Sequence, residues 1–239
     1  KMQPLNRSNL QEPDWDLISP FQFSMVFLSE MCFTAILVNL IYGKPAMDLI
    51  FERMPATLEL VAVAACLVLC IAIPLGVYAG AYLKRASSKL IMSGSILGIS
   101  LPSFWVGMMM IYIFAVVLRL LPASGRGNTV MVGNVALSIF APGGIRYVIL
   151  PAITLALTNV ATMLRLTRSG ILENMRQDYI KFARAKGVPA KSIPFGHALK
   201  NALIPVVTIF GMDLGNMIAF TTITETIFAW PGMGKLLID

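Results

Sequence analysis

Few side chains in this 239-residue sequence are placed for chemistry, and the first of them is Asp213. It lies deep in an apolar stretch, 203–223, that is long enough to cross a membrane. A carboxylate inside a bilayer is costly unless it is paired or protonated, so it marks a functional site by default. Asp213 therefore belongs to a substrate path, or it hydrogen-bonds a neighbouring helix or a partner subunit through groups such as Asn216 or a serine.

A second polar group surrounds Pro102, which Ser100, Ser103 and Trp105 flank. A proline inside a helix lacks the backbone N–H and clashes with the preceding turn, so we expect the helix 90–118 to kink or unwind there. In membranes such a break is tolerated mainly where it is buried against protein or lines a cavity. These four residues are candidates for lining a translocation path, with helix packing as the alternative.

Signatures of catalysis are absent from the sequence. It contains no G-x-x-x-x-G-K-[ST] phosphate loop, HExxH, GxSxG or paired-carboxylate cluster. We therefore expect no catalytic residue, no metal site and no cofactor in this chain, and any process driven by ATP would have to draw its energy from another polypeptide. His197 is the only histidine, and without a second ligand nearby it fits a polar residue of a docking surface better than a metal ligand.

A basic segment, residues 173–200, lies between two apolar stretches, and the rest of the chain is organised around it. Its run DYIKFARAKG, 178–187, predicts a short helix that ends at Gly187, because glycine accepts the positive φ needed there. A second element is expected to start at 188–189. A small, positively charged helix–turn–helix bracket is suited to docking on another protein.

The composition indicates that these groups belong to a membrane protein. The sequence is 57% hydrophobic and 13% charged, whereas about a quarter of the residues of a soluble domain are charged. The net charge is +7, but the positive charge lies between apolar stretches rather than on a soluble face, which argues against nucleic acid as a partner. The basic residues gather on the side that holds the basic segment, and this places that side in the cytoplasm.

Four apolar stretches predict membrane-spanning helices: 57–83, 90–118, 147–164 and 203–223. The first follows a predicted turn at ERMP, 52–55, and ends at the basic run 84–89. A loop rich in Gly and Pro, 120–146, lies on the outer side. The stretch 21–42 is also long enough to span, but Glu30 near its middle favours an amphipathic surface segment.

These spans predict an all-α fold, a polytopic bundle of transmembrane helices. An extracytoplasmic or interfacial N-terminal segment, 1–56, precedes a membrane domain, 57–239. Close helix packing is predicted by three pairs of glycines spaced four apart: Gly76 and Gly80, Gly94 and Gly98, and Gly211 and Gly215.

Four motifs resemble, in one order, the permeases of ATP-binding-cassette importers of the dipeptide, oligopeptide and nickel branch. They are ERMPATLEL (52–60), ISLPSFWVGMMM (99–110), DYIKFARAKG with HALKNALIP (178–187 and 197–205) and ETIFAWPGMGKLLID (225–239). The basic segment resembles the EAA loop of these permeases. Lys181 stands where the general importer pattern has its Glu, and 197–200 stands where that pattern has Ile-x-Leu-Pro; both departures are normal for this branch.

The resemblance implies a type I importer permease subunit in a bacterial inner membrane, with di- or oligopeptides as cargo and nickel or glutathione as alternatives. The implied partners are a second homologous permease, two cytoplasmic ATPases that carry ATP and Mg²⁺, an extracytoplasmic solute-binding protein and the lipid bilayer. The residues that it assigns to coupling with the ATPase are Asp178, Tyr179, Ala183, Arg184, Ala185, Gly187 and His197. The resembled family usually has six spans, whereas this sequence predicts four, with 21–42 as a possible fifth.

Two other classes of function stay open. A secondary transporter also uses broken helices, but it should show an inverted repeat and ion-coordinating polar groups at the midplane, neither of which the sequence shows. A membrane scaffold would need only spans and a docking segment. A stoichiometrically bound P-loop ATPase would support the importer, whereas proton- or sodium-driven uptake without one would support the secondary carrier.

Overall fold

The computed structural model describes residues 46–133 and 135–238, so the predicted segment 21–42 lies outside the described residues. The chain forms two compact units, Lys1–Glu52 and Arg53–Asp239. Of the first unit only residues 46–52 are described, and they form the beginning of a long helix.

Most of the described residues are helical and strands are limited to one short hairpin, which confirms the predicted all-α fold. The helices are α1 Ala46–Ala81, α2 Ala86–Ser100, α3 Ser103–Met110, α4 Ile145–Asn174, α5 Asp178–Ala185, α6 Leu199–Ile227 and α7 Met233–Leu236. The π-helical segment Ile111–Val117 continues α3, and a second one, Ile193–Ala198, leads into α6. The loop before α4 carries an unpredicted antiparallel hairpin of β1 Val130–Val132 and β2 Val135–Leu137.

Three helical stretches of the described chain are long and apolar enough to cross a membrane: Met47–Ala81, Ile145–Asn174 and Ile193–Ile227. The pair formed by Ala86–Ser100 and Ser103–Val117 counts as a fourth span if it is taken as one bent helix, and the chain bends by 104° at the break between them. The predicted break at Pro102 is therefore confirmed. Leu101 is extended, with φ −88° and ψ 131°, as expected of a residue that precedes a proline.

The predicted turn at 52–55 is wrong, because α1 continues without interruption through Pro55. A proline removes one helical hydrogen bond and strains the preceding turn, but it does not prevent a helix that packing stabilises. On the C-terminal side of Pro55, residues spaced four apart are buried in the main core, beginning with Ala56, Leu60 and Ala64. The main core also receives side chains from α4, from α6 and from residues 228–238, which we call the C-terminal turn. These side chains are Val148, Ala152, Met163, Val206, Met217 and Trp230.

Gly76 and Gly80 bring α1 close to α4, as predicted from their spacing. A Cβ atom at Gly76 would lie 2.7 Å from the Cβ atom of Thr167, and one at Gly80 would lie 2.8 Å from Cγ2 of Ile171. Distances under about 3 Å would force a shift of one of the helices, so side chains larger than hydrogen are excluded at this contact.

The other two glycine pairs make no such contact with the described residues. A Cβ atom at Gly94, Gly211 or Gly215 would meet no atom within 4 Å, and one at Gly98 would lie 3.5 Å from the Cβ atom of Ala161, which is ordinary contact. The close packing predicted there is not found within this part of the chain.

Candidate functional site

The predicted helix of the basic segment is confirmed as α5, and Gly187 ends the turn that follows it with a φ of +79°. The N–H of Gly187 donates to the carbonyl oxygen of Arg184 at 3.0 Å, and the N–H of Val188 donates to that of Ala183 at 3.2 Å. This pair of bonds is the Schellman cap of a helix C-terminus. The second element begins at Ile193 rather than at 188–189, because Val188 still takes part in closing this cap.

A small apolar cluster attaches the basic segment to the ends of the long helices. Ile180 of α5 and Ile193 are buried, and they belong to one cluster with Val77 of α1, Ile171 of α4 and Ala202 of α6. Because well-packed interiors deform little, this cluster makes the basic segment and the ends of the three long helices one rigid unit.

The outward face of the basic segment presents aromatic rings among cations. Phe182 is 62% exposed, and Phe195 and Tyr179 are also exposed. The Nζ atom of Lys186 lies 4.6 Å from the ring centre of Phe182, and the hydroxyl of Tyr179 donates to the side-chain oxygen of Asn174 at 2.8 Å. Exposed aromatic rings with a charged rim are typical of a surface that binds another protein.

A cavity of about 370 Å³ lies between the helix break, α4 and α6. Its volume falls in the range of small-molecule binding sites. Met217 and Phe220 form part of its apolar wall. Its polar lining comes from all three elements: Ser103, Thr154, Thr158, Asn159, Asp213, Asn216 and Thr224.

Asp213 is half-buried in this cavity wall. No hydrogen bond or ion pair joins its carboxylate to another residue within 46–133 and 135–238, including Asn216. The same part of the chain contains no group of three or more His, Cys, Asp or Glu side chains that could hold a metal ion. The carboxylate is thus available to a ligand in the cavity or to a residue outside the described chain.

Far along α1 from the basic segment, Glu59 is the centre of a buried set of polar contacts. Its Oε1 atom accepts the N–H groups of Ser138 and Ile139, each at 2.6 Å. Its Oε2 atom forms an ion pair with Arg126, whose Nε donates at 3.1 Å. The guanidinium also donates to the carbonyl oxygen of Ala136 at 2.6 Å, so Glu59 holds the hairpin loop against α1.

Glu225 of α6 is fully buried and plays the same part for the C-terminal turn. The hydroxyl of Thr57 donates to its Oε1 atom at 2.6 Å, and the N–H of Lys235 donates to its Oε2 atom at 3.0 Å. The indole Nε1 of Trp230 donates to the carbonyl oxygen of Ala56 at 2.9 Å. We call the set Thr57, Glu59, Arg126, Ser138 and Glu225 the polar network.

Residues 72–239 match the family described as "Binding-protein-dependent transport system inner membrane component". The chain belongs to this family. The match covers the helix break, the basic segment and the C-terminal turn, which confirms the resemblance seen in the motifs and indicates an inner membrane component.

Several relatives of this chain are named as permeases of peptide transport systems. The chain is 41% identical over 200 residues to the oligopeptide transport system permease protein AppB of Bacillus subtilis, covering 82% of this chain and 60% of that protein. It is 43% identical over 201 residues to the di/tripeptide transport system permease protein DppB of Pseudomonas aeruginosa, covering 77% and 59%. It is 33% identical over 245 residues to a dipeptide transport system permease protein of Alkalihalophilus pseudofirmus, covering 98% and 72%. The chain spans about six tenths of the length of the first relatives it matches.

The structure places the residues predicted for coupling on one corner of this inner membrane component. Ala183 is buried. The other six are exposed: Asp178, Tyr179, Arg184, Ala185, Gly187 and His197. They form one surface together with Phe182, whose exposed ring sequence reasoning did not single out.

The structure separates the residues predicted for the translocation path into two groups. Ser103, Asp213 and Asn216 line the cavity. The exposed residues Ser100, Pro102 and Trp105 are not among its lining residues, although Ile99 and Leu101, which neighbour them in the chain, are. The hydroxyl of Ser100 instead donates to the carbonyl oxygen of Ile96 at 2.9 Å.

Sequence reasoning singled out Asp213 but missed Glu59 and Glu225, which also lie in long apolar helices. Glu225 fell just outside the predicted span 203–223, whereas α6 extends to Ile227. Both glutamates stand within motifs that carry the family resemblance. An acid inside an apolar helix was the signal that could have identified them.

Proposed function

We propose that this chain is a permease subunit of an ATP-binding-cassette importer and forms half of the translocation path for peptides. The family match and the di- and oligopeptide names of the relatives support the peptide assignment. The sequence holds no phosphate-binding loop of its own, so the chain contributes the path and its motion rather than ATP hydrolysis.

The proposed complex contains a second, homologous permease, two cytoplasmic ATPases and an extracytoplasmic solute-binding protein. ATP and Mg²⁺ are bound by the ATPases. One ATPase receives the exposed corner of the basic segment in a surface cleft, where rings such as that of Phe182 are buried and the surrounding cations contact acidic groups.

The observation that carries this proposal is the construction of the basic segment. It combines an exposed aromatic and cationic surface with a buried anchor, Ile180 and Ile193, that packs against three long helices. Closure of the ATPases on ATP would move this corner as a rigid body, and the helices would then rock between outward- and inward-facing openings.

Gly187 offers the sharpest test, because its φ of +79° lies where β-branched side chains are strained. In the complete transporter, Gly187→Val is expected to leave membrane insertion and ATP hydrolysis intact but to reduce peptide uptake at least about tenfold, since the corner angle changes. Gly187→Asn is the matched control, because asparagine tolerates this backbone conformation, and it should retain most of the uptake. Normal uptake by the valine variant would contradict the coupling role.

Purification of the transporter from membranes tests the proposed complex itself. A P-loop ATPase that copurifies in stoichiometric amount supports the importer. Uptake driven by a proton or sodium gradient, without such a partner, would show a secondary carrier instead.

A further inference from the structure

We propose that the cavity beside the helix break binds a primary ammonium group of the transported peptide, with Asp213 as its counter-ion. This inference rests on the proposed function as a peptide importer. It assigns to Asp213 the role of selecting cargo by its charge inside the membrane.

The charge of the cavity is one-sided. Asp213 is the one ionisable side chain among its described lining residues, so no Lys, Arg or His there neutralises it. Its position near the middle of the 35-residue span Ile193–Ile227 makes an unpaired carboxylate costly. A cationic ligand group in the cavity would remove much of that cost by a charge-assisted hydrogen bond.

The neutral polar groups in the wall favour a ligand that donates hydrogen bonds. The hydroxyl of Thr154 already donates to the carbonyl oxygen of Leu150 at 2.9 Å, and the amide of Asn159 donates to that of Leu155 at 3.0 Å. Their side-chain oxygens keep acceptor capacity. An ammonium group has three donors and no acceptor, which complements this arrangement.

The residues fit an organic cation better than a metal ion. A divalent metal is held in proteins by several carboxylate, imidazole or thiolate ligands, and no group of three such side chains occurs in the described parts of the chain. The apolar wall that includes Met217 and Phe220 suits the carbon skeleton of a peptide.

Two parts of a peptide supply a primary ammonium, the N-terminus and a lysine side chain. Three probes separate them: trialanine, N-acetyl-trialanine and N-acetyl-Ala-Lys-Ala. ATP-driven uptake of each probe is measured in proteoliposomes that contain the complete transporter, with the same solute-binding protein throughout. The ratio of variant to wild-type uptake for one probe then cancels the preference of the binding protein.

Asp213→Asn keeps the shape of the side chain and removes its charge. We expect it to reduce uptake of trialanine about tenfold or more, because a hydrogen bond between charged groups is lost, and to leave N-acetyl-trialanine unchanged. Asp213→Glu should retain the preference for the charged probe. Thr208→Val is the matched control, since Thr208 lies on the same helix and is exposed outside the cavity.

The response of N-acetyl-Ala-Lys-Ala identifies the source of the ammonium. A loss with this probe as large as that with trialanine supports binding of either ammonium, and a loss with trialanine alone supports the N-terminus. Equal effects of Asp213→Asn on all three probes, or no effect, would overturn the inference. If the wild-type transporter shows ATP-driven uptake of none of the probes, the proposed function itself fails.

Discussion

The two ends of the long helices are constructed differently. Where the basic segment lies, buried apolar residues such as Ile180 and Ile193 join the helix ends, and charge stays on the surface. About twenty residues away along α1, the polar network joins its elements through buried carboxylates that accept directed hydrogen bonds. Apolar packing lets the helix ends move together without breaking directed bonds, whereas a buried charge that loses its partner is costly. This difference suits one end to the proposed movement with an ATPase and the other end to holding its loops in a fixed arrangement.

We expect the largest difference in stability between variants that break the ion pairs at the two ends. Glu59 and Arg126 have side-chain exposures of 2% and 12%, whereas Asp178 and Lys181 have exposures of 94% and 69%. Glu59→Ala leaves a guanidinium without its partner in a buried site, so we expect a loss of about 3–5 kcal/mol in the free energy of unfolding. The measurement is reversible denaturation of the purified complex in detergent or nanodiscs.

Lys181→Ala is the matched control for that variant. Its ion pair is solvent-exposed, and such pairs contribute little to stability, so we expect an unchanged denaturation midpoint. A loss as large as that of Glu59→Ala would refute the distinction between the two ends.

Glycine substitution tests the rigidity of the C-terminal turn. A Cβ atom at Gly232 would overlap the carboxyl group of Glu225, which cannot move without losing the N–H of Lys235. We expect Gly232→Ala to lower the free energy of unfolding by about 1–3 kcal/mol, the usual cost of overpacking. Gly211→Ala is the control, because a Cβ atom there meets nothing within 4 Å in the described chain. Equal stability of the two variants would show that the turn yields easily.

The smallest expected effect on stability, but a clear one on assembly, comes from Phe182. Its ring is 62% exposed in this chain, so Phe182→Ala should leave the denaturation midpoint unchanged. If the ATPase buries this ring, the variant should bind the ATPase about tenfold more weakly, as central aromatic residues of interfaces do. Affinity is measured by titrating labelled ATPase onto the permease in nanodiscs.

Phe140→Ala is the matched control for this binding experiment, since Phe140 is 66% exposed in the hairpin loop, away from the basic segment. It should not change the affinity for the ATPase. If both variants lower the affinity equally, the aromatic surface of the basic segment is not the contact.

Local patterns in the sequence predicted much of the fold. The length of the apolar stretches predicted the spans, Pro102 predicted the break, and the glycine in DYIKFARAKG predicted the end of α5. Each of these effects acts within a short stretch of the chain. The same local logic failed at 52–55, where packing of Ala56 and Leu60 in the core holds a helix through Pro55. Tertiary contacts decide such positions, and the sequence does not display them.

Only part of the candidate site was predicted, because tertiary contacts also decide which residues line it. Asp213 was recognisable as an acid in an apolar stretch, but its cavity also needs Thr154 and Asn159 of α4, which have no distinctive pattern in the sequence. The partners of Glu59 lie 67 and 79 residues away in the chain. Pairings over such distances arise from the fold, so a single sequence offers no direct sign of them.

The stretch from Ile193 to Ile227 has a mechanical consequence. Its 35 residues form one continuous span, which at about 1.5 Å per residue is a rod of roughly 50 Å. A tilt of about 10° about its far end, where Glu225 is bonded to Thr57 and to the C-terminal turn, would carry its foot in the basic segment sideways by roughly 9 Å, and a point halfway along by about half as much. Asp213 lies near that halfway point, so a movement of the basic segment would displace this carboxylate while that of Glu225 stays in place.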